Sequence, residues 1–258
     1  MQPEIELGPL TLQTFGIMFS LAFVAAGALI ARRLKEIGKP VDWAYEFVFA
    51  ALAGGFIGAR LYYMAQNWDA VQDDFFGQVF SGEGLVWYGG ALGGAAASFL
   101  WARWRGFLSL ALLDLAAPAL ALGYAIGRIG CQLSGDGDYG IGSDLPWAMS
   151  YPDGTVPTDD QVHPTPIYET LAMGMVAWLL WNWRDRMRPG LLFATYLVLS
   201  GMERFLVEFL RRNDEVLAGL TAPQLESLAL MVIGAVWLAL GRARSGREEP
   251  VPPRSARA

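Results

Sequence analysis

The sequence holds a single cysteine, Cys131, and a single histidine, His163, in 258 residues. One thiol excludes an intramolecular disulfide and any cysteine-based structural metal site. One imidazole excludes a multi-histidine metal centre. Charge is scarce as well: charged residues make up 17% of the chain and hydrophobic residues 54%, a balance that argues against a soluble protein. The net charge of −6 and the lack of a basic stripe with interleaved aromatics exclude nucleic acid as a partner. Met1 to Leu10 contains no Lys or Arg, so it lacks the basic start of a secretory signal peptide. The first apolar stretch is therefore expected to stay in the membrane. There is no internal repeat, and the one biased segment is the Arg/Pro/Ser-rich end of the chain.

What remains is apolar and segmented. A helix needs roughly 20 mostly apolar residues to cross a hydrocarbon core, and such stretches fall near 12–31, 44–66, 86–104, 109–130, 165–183, 190–210 and 224–241. The expected fold is all-α, a polytopic membrane protein with about seven transmembrane helices. One domain would cover residues 1–244, and residues 245–258 would form a disordered cytoplasmic tail. Basic residues set the orientation. Arg32, Arg33, Lys35 and Lys39 follow the first span, Arg103 and Arg105 the third, and Arg184, Arg186 and Arg188 the fifth. The intervening connections are acidic. The loop at about 132–163 carries six aspartates and no Lys or Arg. The N-terminus is thus expected outside and the C-terminus in the cytoplasm. Glycines at GxxxG spacing, such as Gly54 and Gly58 or Gly89 and Gly93, fit close helix packing.

Three arginines sit where a bilayer disfavours them. Arg60, Arg128 and Arg204 lie about 25, 28 and 21 Å along outward-running spans at the helical rise per residue. An arginine in mid-membrane costs about 2.5–3.5 kcal/mol on insertion scales and stays charged. Internal ion pairs with Glu203, Glu208 and Asp114 would neutralise these residues and pin the bundle. A polar cavity that clamps a phosphate is the alternative, because guanidinium forks match phosphate oxygens. Arg204 and Glu208 share a helix face at i,i+4, in the order that supports a helix less, and Arg211 or Arg212 continues that face. From Gly127 to Gly140 the chain is too glycine-rich and polar for a continuing helix, and irregular backbone at membrane depth belongs to buried or wet sites. The aspartates around Gly137 lack the order of a calcium loop, so no metal is expected.

These residues fall in a series of motifs: GARLYY at Gly58–Tyr63, Gly89–Gly90, Asp114 to Pro118, GRIG at Gly127–Gly130, PWAM at Pro146–Met149, HPTPIYE at His163–Glu169 and RFLVEFLR at Arg204–Arg211. In this order, on seven spans, the chain resembles the prolipoprotein diacylglyceryl transferase family of bacterial inner membranes. The resemblance covers nearly the whole chain. It implies transfer of the diacylglyceryl group of phosphatidylglycerol to the lipobox cysteine of a prolipoprotein, with release of glycerol phosphate and no cofactor. Membrane lipids would surround the chain, and the active site would face the extracytoplasmic side of the cytoplasmic membrane.

The resemblance also implies residue roles. Arg128 and Arg204 match the family's arginines and would hold the phosphate, and Glu208 would orient Arg204. Asp136 stands where the family usually has Glu. Arg60, Gly89, Gly90, Gly140 and Tyr168 would line the phospholipid site. The chain departs from the pattern at Tyr88, where the family usually has His before Gly-Gly, at Cys131, where it has Asn, and at Phe15, where it has Tyr. A phenol, with a reference pKa of about 10, is a weak base near neutrality, so the thiol proton is left to Tyr88, His163 or Asp136. Cys131 is expected to be structural beside the lipid, since the nucleophile is the acceptor's thiol. Glu169 would line the cavity or pair with an arginine. Two other readings stay open: a family relative with another acceptor or lipid donor, and a phospholipid-binding protein without chemistry.

Overall fold

The computed structural model describes residues 2–8, 10–73 and 86–245. Seven long helices occupy the seven apolar stretches: α1 (Thr14–Glu36), α2 (Asp42–Gln66), α4 (Trp87–Trp104), α5 (Leu110–Ser134), α6 (Thr165–Trp183), α7 (Leu191–Glu208) and α8 (Ala222–Ser245), with the short α3 (Trp68–Asp73) after α2. Four of them, α1, α2, α5 and α8, are long and apolar enough to cross a membrane. The expected tail from Ser245 lies, apart from Ser245 itself, outside the described residues. So does most of the acidic connection between Asn67 and Tyr88.

The fold is not purely helical. The described residues also hold three two-stranded antiparallel hairpins: β1 (Glu4–Leu7) with β2 (Leu10–Gln13) before α1, β3 (Met149–Tyr151) with β4 (Thr158–Val162) between α5 and α6, and β5 (Glu215–Leu217) with β6 (Leu220–Thr221) between α7 and α8. The last turns at Ala218 and Gly219, both with positive φ, the conformation that a two-residue hairpin requires.

The chain divides into two compact units. The first joins residues 1–22 to residues 116–258. Its apolar core packs α5, α6 and α7 through Ala117, Ala121, Ala125, Met173, Val176, Ala177, Leu180 and Leu192. Small residues on α5 let the larger side chains of α6 fill the gap. Tyr139 stacks on Tyr151, with ring centroids 4.7 Å apart, and anchors the loop after α5 to β3.

The second unit spans residues 23–115 and is dominated by the pairing of α2 with α4. A Cβ added at Gly58 would overlap the carbonyl oxygen of Gly89, and one at Gly93 would overlap that of Gly54. The GxxxG spacing is therefore a backbone-to-backbone contact. At the other end of this pair, Glu46 accepts hydrogen bonds from Trp101 Nε1 at 3.0 Å and Arg105 Nε at 2.7 Å.

One expectation needs correcting. Helix α5 does not end after Arg128; it runs on to Ser134. Gly130 is compatible with that helix because α1 packs on it, and a Cβ there would lie 3.1 Å from Met18 Cβ and 3.3 Å from the Phe15 ring. Irregular backbone begins at Gly135, whose φ is 59°.

Candidate active site

The first unit gathers charge from four places in the sequence. Arg128 comes from the last turns of α5, Glu169 from the second turn of α6, and Arg204 and Glu208 from the end of α7. Arg211 follows one turn on, and Asp138 comes from the loop after α5. Arg128 pairs with Asp138 and, through Nε, with Glu169 at 3.0 Å. Arg204 reaches Glu169 at 3.2 Å and Glu208 at 2.8 Å. Arg211 pairs with Asp138, with Glu169 at 3.6 Å and with Glu208 at 3.8 Å. Read around, the contacts close a ring in which three guanidiniums alternate with three carboxylates, crossed by the Arg211–Glu169 pair.

The ring is graded in exposure. The side chains of Glu169 and Glu208 are 0% exposed, whereas Asp138 is 29% exposed and Arg204 22%. Buried carboxylates need their lone pairs satisfied. Tyr124 donates to Glu169 Oε1 at 3.2 Å, while Thr221 and Asn213 donate to Glu208 Oε1 at 2.8 and 2.6 Å. Thr221 belongs to β6, so the β5–β6 hairpin serves the site by delivering that hydroxyl. The Arg128 guanidinium also lies over the Tyr124 ring, 4.9 Å from its centroid.

The loop carrying Asp138 is fixed through its backbone. Thr165 donates to the Asp138 carbonyl at 2.5 Å, Gly140 N–H to the His163 carbonyl at 2.8 Å, and Ile141 N–H to the Leu210 carbonyl at 2.8 Å. At Gly140 a Cβ would overlap the Leu210 carbonyl, so Gly140 lets the loop lie flat against the end of α7. Burial works against the charge of Asp138, but Arg128 and Arg211 outweigh it and hold its carboxyl below the usual range. The neighbouring Asp136 goes the other way: burial, then the charge of Asp138, raises it.

Of the residues expected here, the structure brings Arg128, Arg204 and Glu208 into one network. Asp136 lies in the same loop, where its carboxylate accepts the Asp138 N–H at 3.3 Å, but the carboxylate that reaches the arginines is Asp138. The expected neutralisation by internal ion pairs is present through Glu208, and Glu169 and Asp138 share it. Cys131 is buried, with its sulfur 3.7 Å from Arg128 Nη1. Cys131, Asp136 and Asp138 bring their ligand atoms within 4.8 Å of one another. Both Asp138 oxygens already serve arginines, which leaves this group poorly suited to a cation. His163 and Tyr168 pair with each other, Nδ1 to hydroxyl at 3.3 Å, and Trp147 Nε1 donates to the same hydroxyl at 2.8 Å.

Arg60, Tyr88, Gly89 and Gly90 belong to the second unit. There Arg60 is buried, its guanidinium 5.2 Å from the centre of the Tyr63 ring. Tyr88 is 47% exposed and meets Trp87 edge to face. Gly89 is spent on the contact with α2, where a side chain would meet Gly58 and Tyr62. Sequence reasoning did not place Asp138 or Arg211 in the site. Arg211 was signalled by its position one helical turn beyond Glu208.

The sequence model of the prolipoprotein diacylglyceryl transferase family matches residues 3–240. The chain belongs to this family. It is 33% identical over 255 residues to the phosphatidylglycerol–prolipoprotein diacylglyceryl transferase of Gloeobacter violaceus, covering 95% of this chain and 94% of that protein. The enzyme of the same name from Clostridium tetani is 32% identical over 238 residues, covering 91% and 95%. That of Methylococcus capsulatus is 31% identical over 254 residues, covering 93% and 95%. The diacylglyceryl transferase match spans both units of the fold, so the charge ring and the α2–α4 pair both lie within the family's extent.

Proposed function

We infer that the chain transfers the diacylglyceryl group of phosphatidylglycerol to the lipobox cysteine of a prolipoprotein and releases glycerol phosphate. The observation that carries this reading is the ring of Arg128, Arg204 and Arg211 in a chain of apolar helices. In the reaction the acceptor sulfur forms a bond to the terminal glyceryl carbon. The bond from that carbon to the phosphate ester oxygen breaks, and its electron pair stays on the phosphate. Charge therefore grows on the phosphate oxygens as the bond breaks. Positioned guanidiniums stabilise that growth more than they stabilise the bound lipid, which is the condition for catalysis.

Arg128 and Arg204 are the phosphate-holding residues in this account, and Glu208 keeps Arg204 oriented. The acceptor's thiol proton passes to His163, Tyr88 or Asp136. The His163–Tyr168–Trp147 chain supports the first, because it ties the imidazole to a fixed hydroxyl. Gly140 lies on the lipid's path in the first unit, with Cys131 packed beside Arg128. Seven spans, the N-terminus outside, the C-terminus in the cytoplasm and a site facing the extracytoplasmic side of the bacterial inner membrane fit the distribution of Lys and Arg. A second reading, phospholipid binding without transfer, is favoured by one observation: each ring arginine already has carboxylate partners.

The test uses full-length protein in detergent, phosphatidylglycerol and a synthetic lipobox peptide with one cysteine. The expected outcome is a peptide heavier by one diacylglyceryl group with equimolar glycerol phosphate, and loss of both with Arg128→Ala. Lipid binding without either product would move the assignment to the second reading.

A further inference from the structure

Within the ring the charges balance, three guanidiniums against three carboxylates, and Glu203 and Asp136 add acidic groups beside it. A phosphodiester bound there adds a negative charge, so one resident carboxylate has to give way or the site becomes anionic. The three acids differ greatly in the cost of leaving. Glu169 and Glu208 have fully buried side chains and sit on helices. Tyr124 holds the first, and Thr221 and Asn213 hold the second. Moving either one strands a buried charge away from its hydrogen-bond donors, which is costly.

Asp138 is placed differently. Its side chain is 29% exposed, and it sits in a loop rather than a helix. Gly135 and Gly137 precede it with φ of 59° and 91°, so the chain beside it has the torsional freedom of glycine. Thr165 and Gly140 anchor this loop through backbone groups, which leaves the carboxylate free to rotate while the loop stays in place. The two oxygens of Asp138 are split between two arginines, Oδ2 to Arg128 and Oδ1 to Arg211. The two unesterified oxygens of a phosphodiester can bridge two guanidiniums in the same way.

We propose that the Asp138 carboxylate is a stand-in for the lipid phosphate, and that the phosphodiester of the donor lipid takes its place between Arg128 and Arg211 while Asp138 swings towards solvent. The exchange replaces one negative charge by another and keeps Glu169 and Glu208 in place, so that Arg204 stays oriented by them as a further donor to the same phosphate. It gives Arg211 a direct role in binding the phosphate and gives the empty site a way to keep its arginines paired. The inference rests on the phospholipid reading of the site.

The test titrates short-chain phosphatidylglycerol into full-length protein in a zwitterionic detergent and compares wild type, Asp138→Asn, Arg211→Gln and Arg128→Ala by calorimetry. Asp138→Asn keeps the shape but removes the competing charge, and is expected to tighten binding about five- to tenfold. Arg211→Gln and Arg128→Ala are expected to weaken it at least tenfold. Where Asp138→Asn fails to fold, the wild type supplies the answer: carbodiimide-driven labelling of Asp138, read by mass spectrometry, should rise when the lipid is added. Unchanged or weaker binding in Asp138→Asn, or protection of Asp138 by lipid, overturns the exchange. If wild type and Arg128→Ala bind the lipid equally, the phospholipid reading of the ring fails with it. Binding that depends on Arg128 but not on Asp138 or Arg211 overturns the exchange alone.

Discussion

The two units of this chain solve the problem of holding apolar helices together in opposite ways. In residues 23–115, α2 and α4 meet through glycines, backbone against backbone, with a carboxylate clamp at the Glu46 end. In the other unit, α5, α6 and α7 meet through a small apolar core and, beyond it, a ring of six charges. In a bilayer, helix association draws on close packing and polar contacts, since lipid tails are as apolar as leucine. Glycine contacts supply the first without chemistry. The charge ring is costly to build, and its partial exposure at Asp138 and Arg204 is more than helix packing requires. The contrast assigns structure to the glycine pair and function to the ring.

The largest effect should come from breaking the ring at Arg128, which ties α5 to both α6 and the Asp138 loop. Arg128→Ala removes partners from both Glu169 and Asp138. Activity should fall by about 10²–10³ or more, as for loss of a donor to developing charge. Removing one partner of a buried ion pair also costs about 3–5 kcal/mol, which thermal unfolding in detergent would report. The glycine pair should respond in the other currency. Gly58→Leu forces a side chain into the Gly89 carbonyl and should destabilise by at least the ~1–3 kcal/mol typical of overpacking. Properly folded Gly58→Leu protein should still bind phosphatidylglycerol. If Gly58→Leu abolished binding without loss of stability, the division of labour would be wrong.

Two smaller effects sharpen the picture. Thr221→Val deletes a hydroxyl that donates to buried Glu208. It should lower stability by about 1–3 kcal/mol, the cost of leaving a buried acceptor short of a donor, and reduce activity severalfold by loosening Arg204. Acid should act on the loop with opposite signs at two aspartates. Asp138 titrates lower in the folded chain than unfolded, so its stabilisation is present above the ordinary carboxylate range and is lost as pH falls through the lower folded value. Asp136 titrates higher when folded. Its contribution is present below the ordinary range and is lost as pH rises through the raised folded value. The groups facing this pair include Arg128, Arg211, Cys131, Glu169 and Tyr151. Thermal unfolding between pH 3 and 7 should show a weaker acid loss in Asp138→Asn, measured against pH 7 in each protein, than in wild type. The smallest effect is expected at Cys131→Ser, within about threefold in transfer rate, because the thiol packs beside Arg128 and takes no part in bond making.

Much of this was legible in the sequence because its signals are long or costly. Seven apolar stretches of about helix-spanning length placed the seven long helices, and two of the three misplaced arginines, Arg128 and Arg204, are members of the ring, while Arg60 lies in the other unit. The hairpins were not legible. Strands of two to five residues, one of them Thr-Asp-Asp-Gln-Val in β4, are too short and polar for alternation to stand out. The end of α5 was misread because Gly127 and Gly130 look like breakers; Gly130 is a contact surface for α1. Asp136 stands where the resemblance puts an acid, whereas the carboxylate that reaches the arginines is that of Asp138, because only the loop's path decides which of the two turns inward. Glu169 was expected to pair with an arginine or to line a cavity, and its place at the centre of the ring needed three helices packed together.

The most direct test of the central claim is an electron-microscopy structure of the full chain in nanodiscs made with phosphatidylglycerol. The account predicts a lipid headgroup in the first unit with phosphate oxygens at hydrogen-bond distance, about 3 Å, from the Arg128 guanidinium. Headgroup density confined to other parts of the protein, with Arg128, Arg204 and Arg211 still paired as they are here, would contradict it.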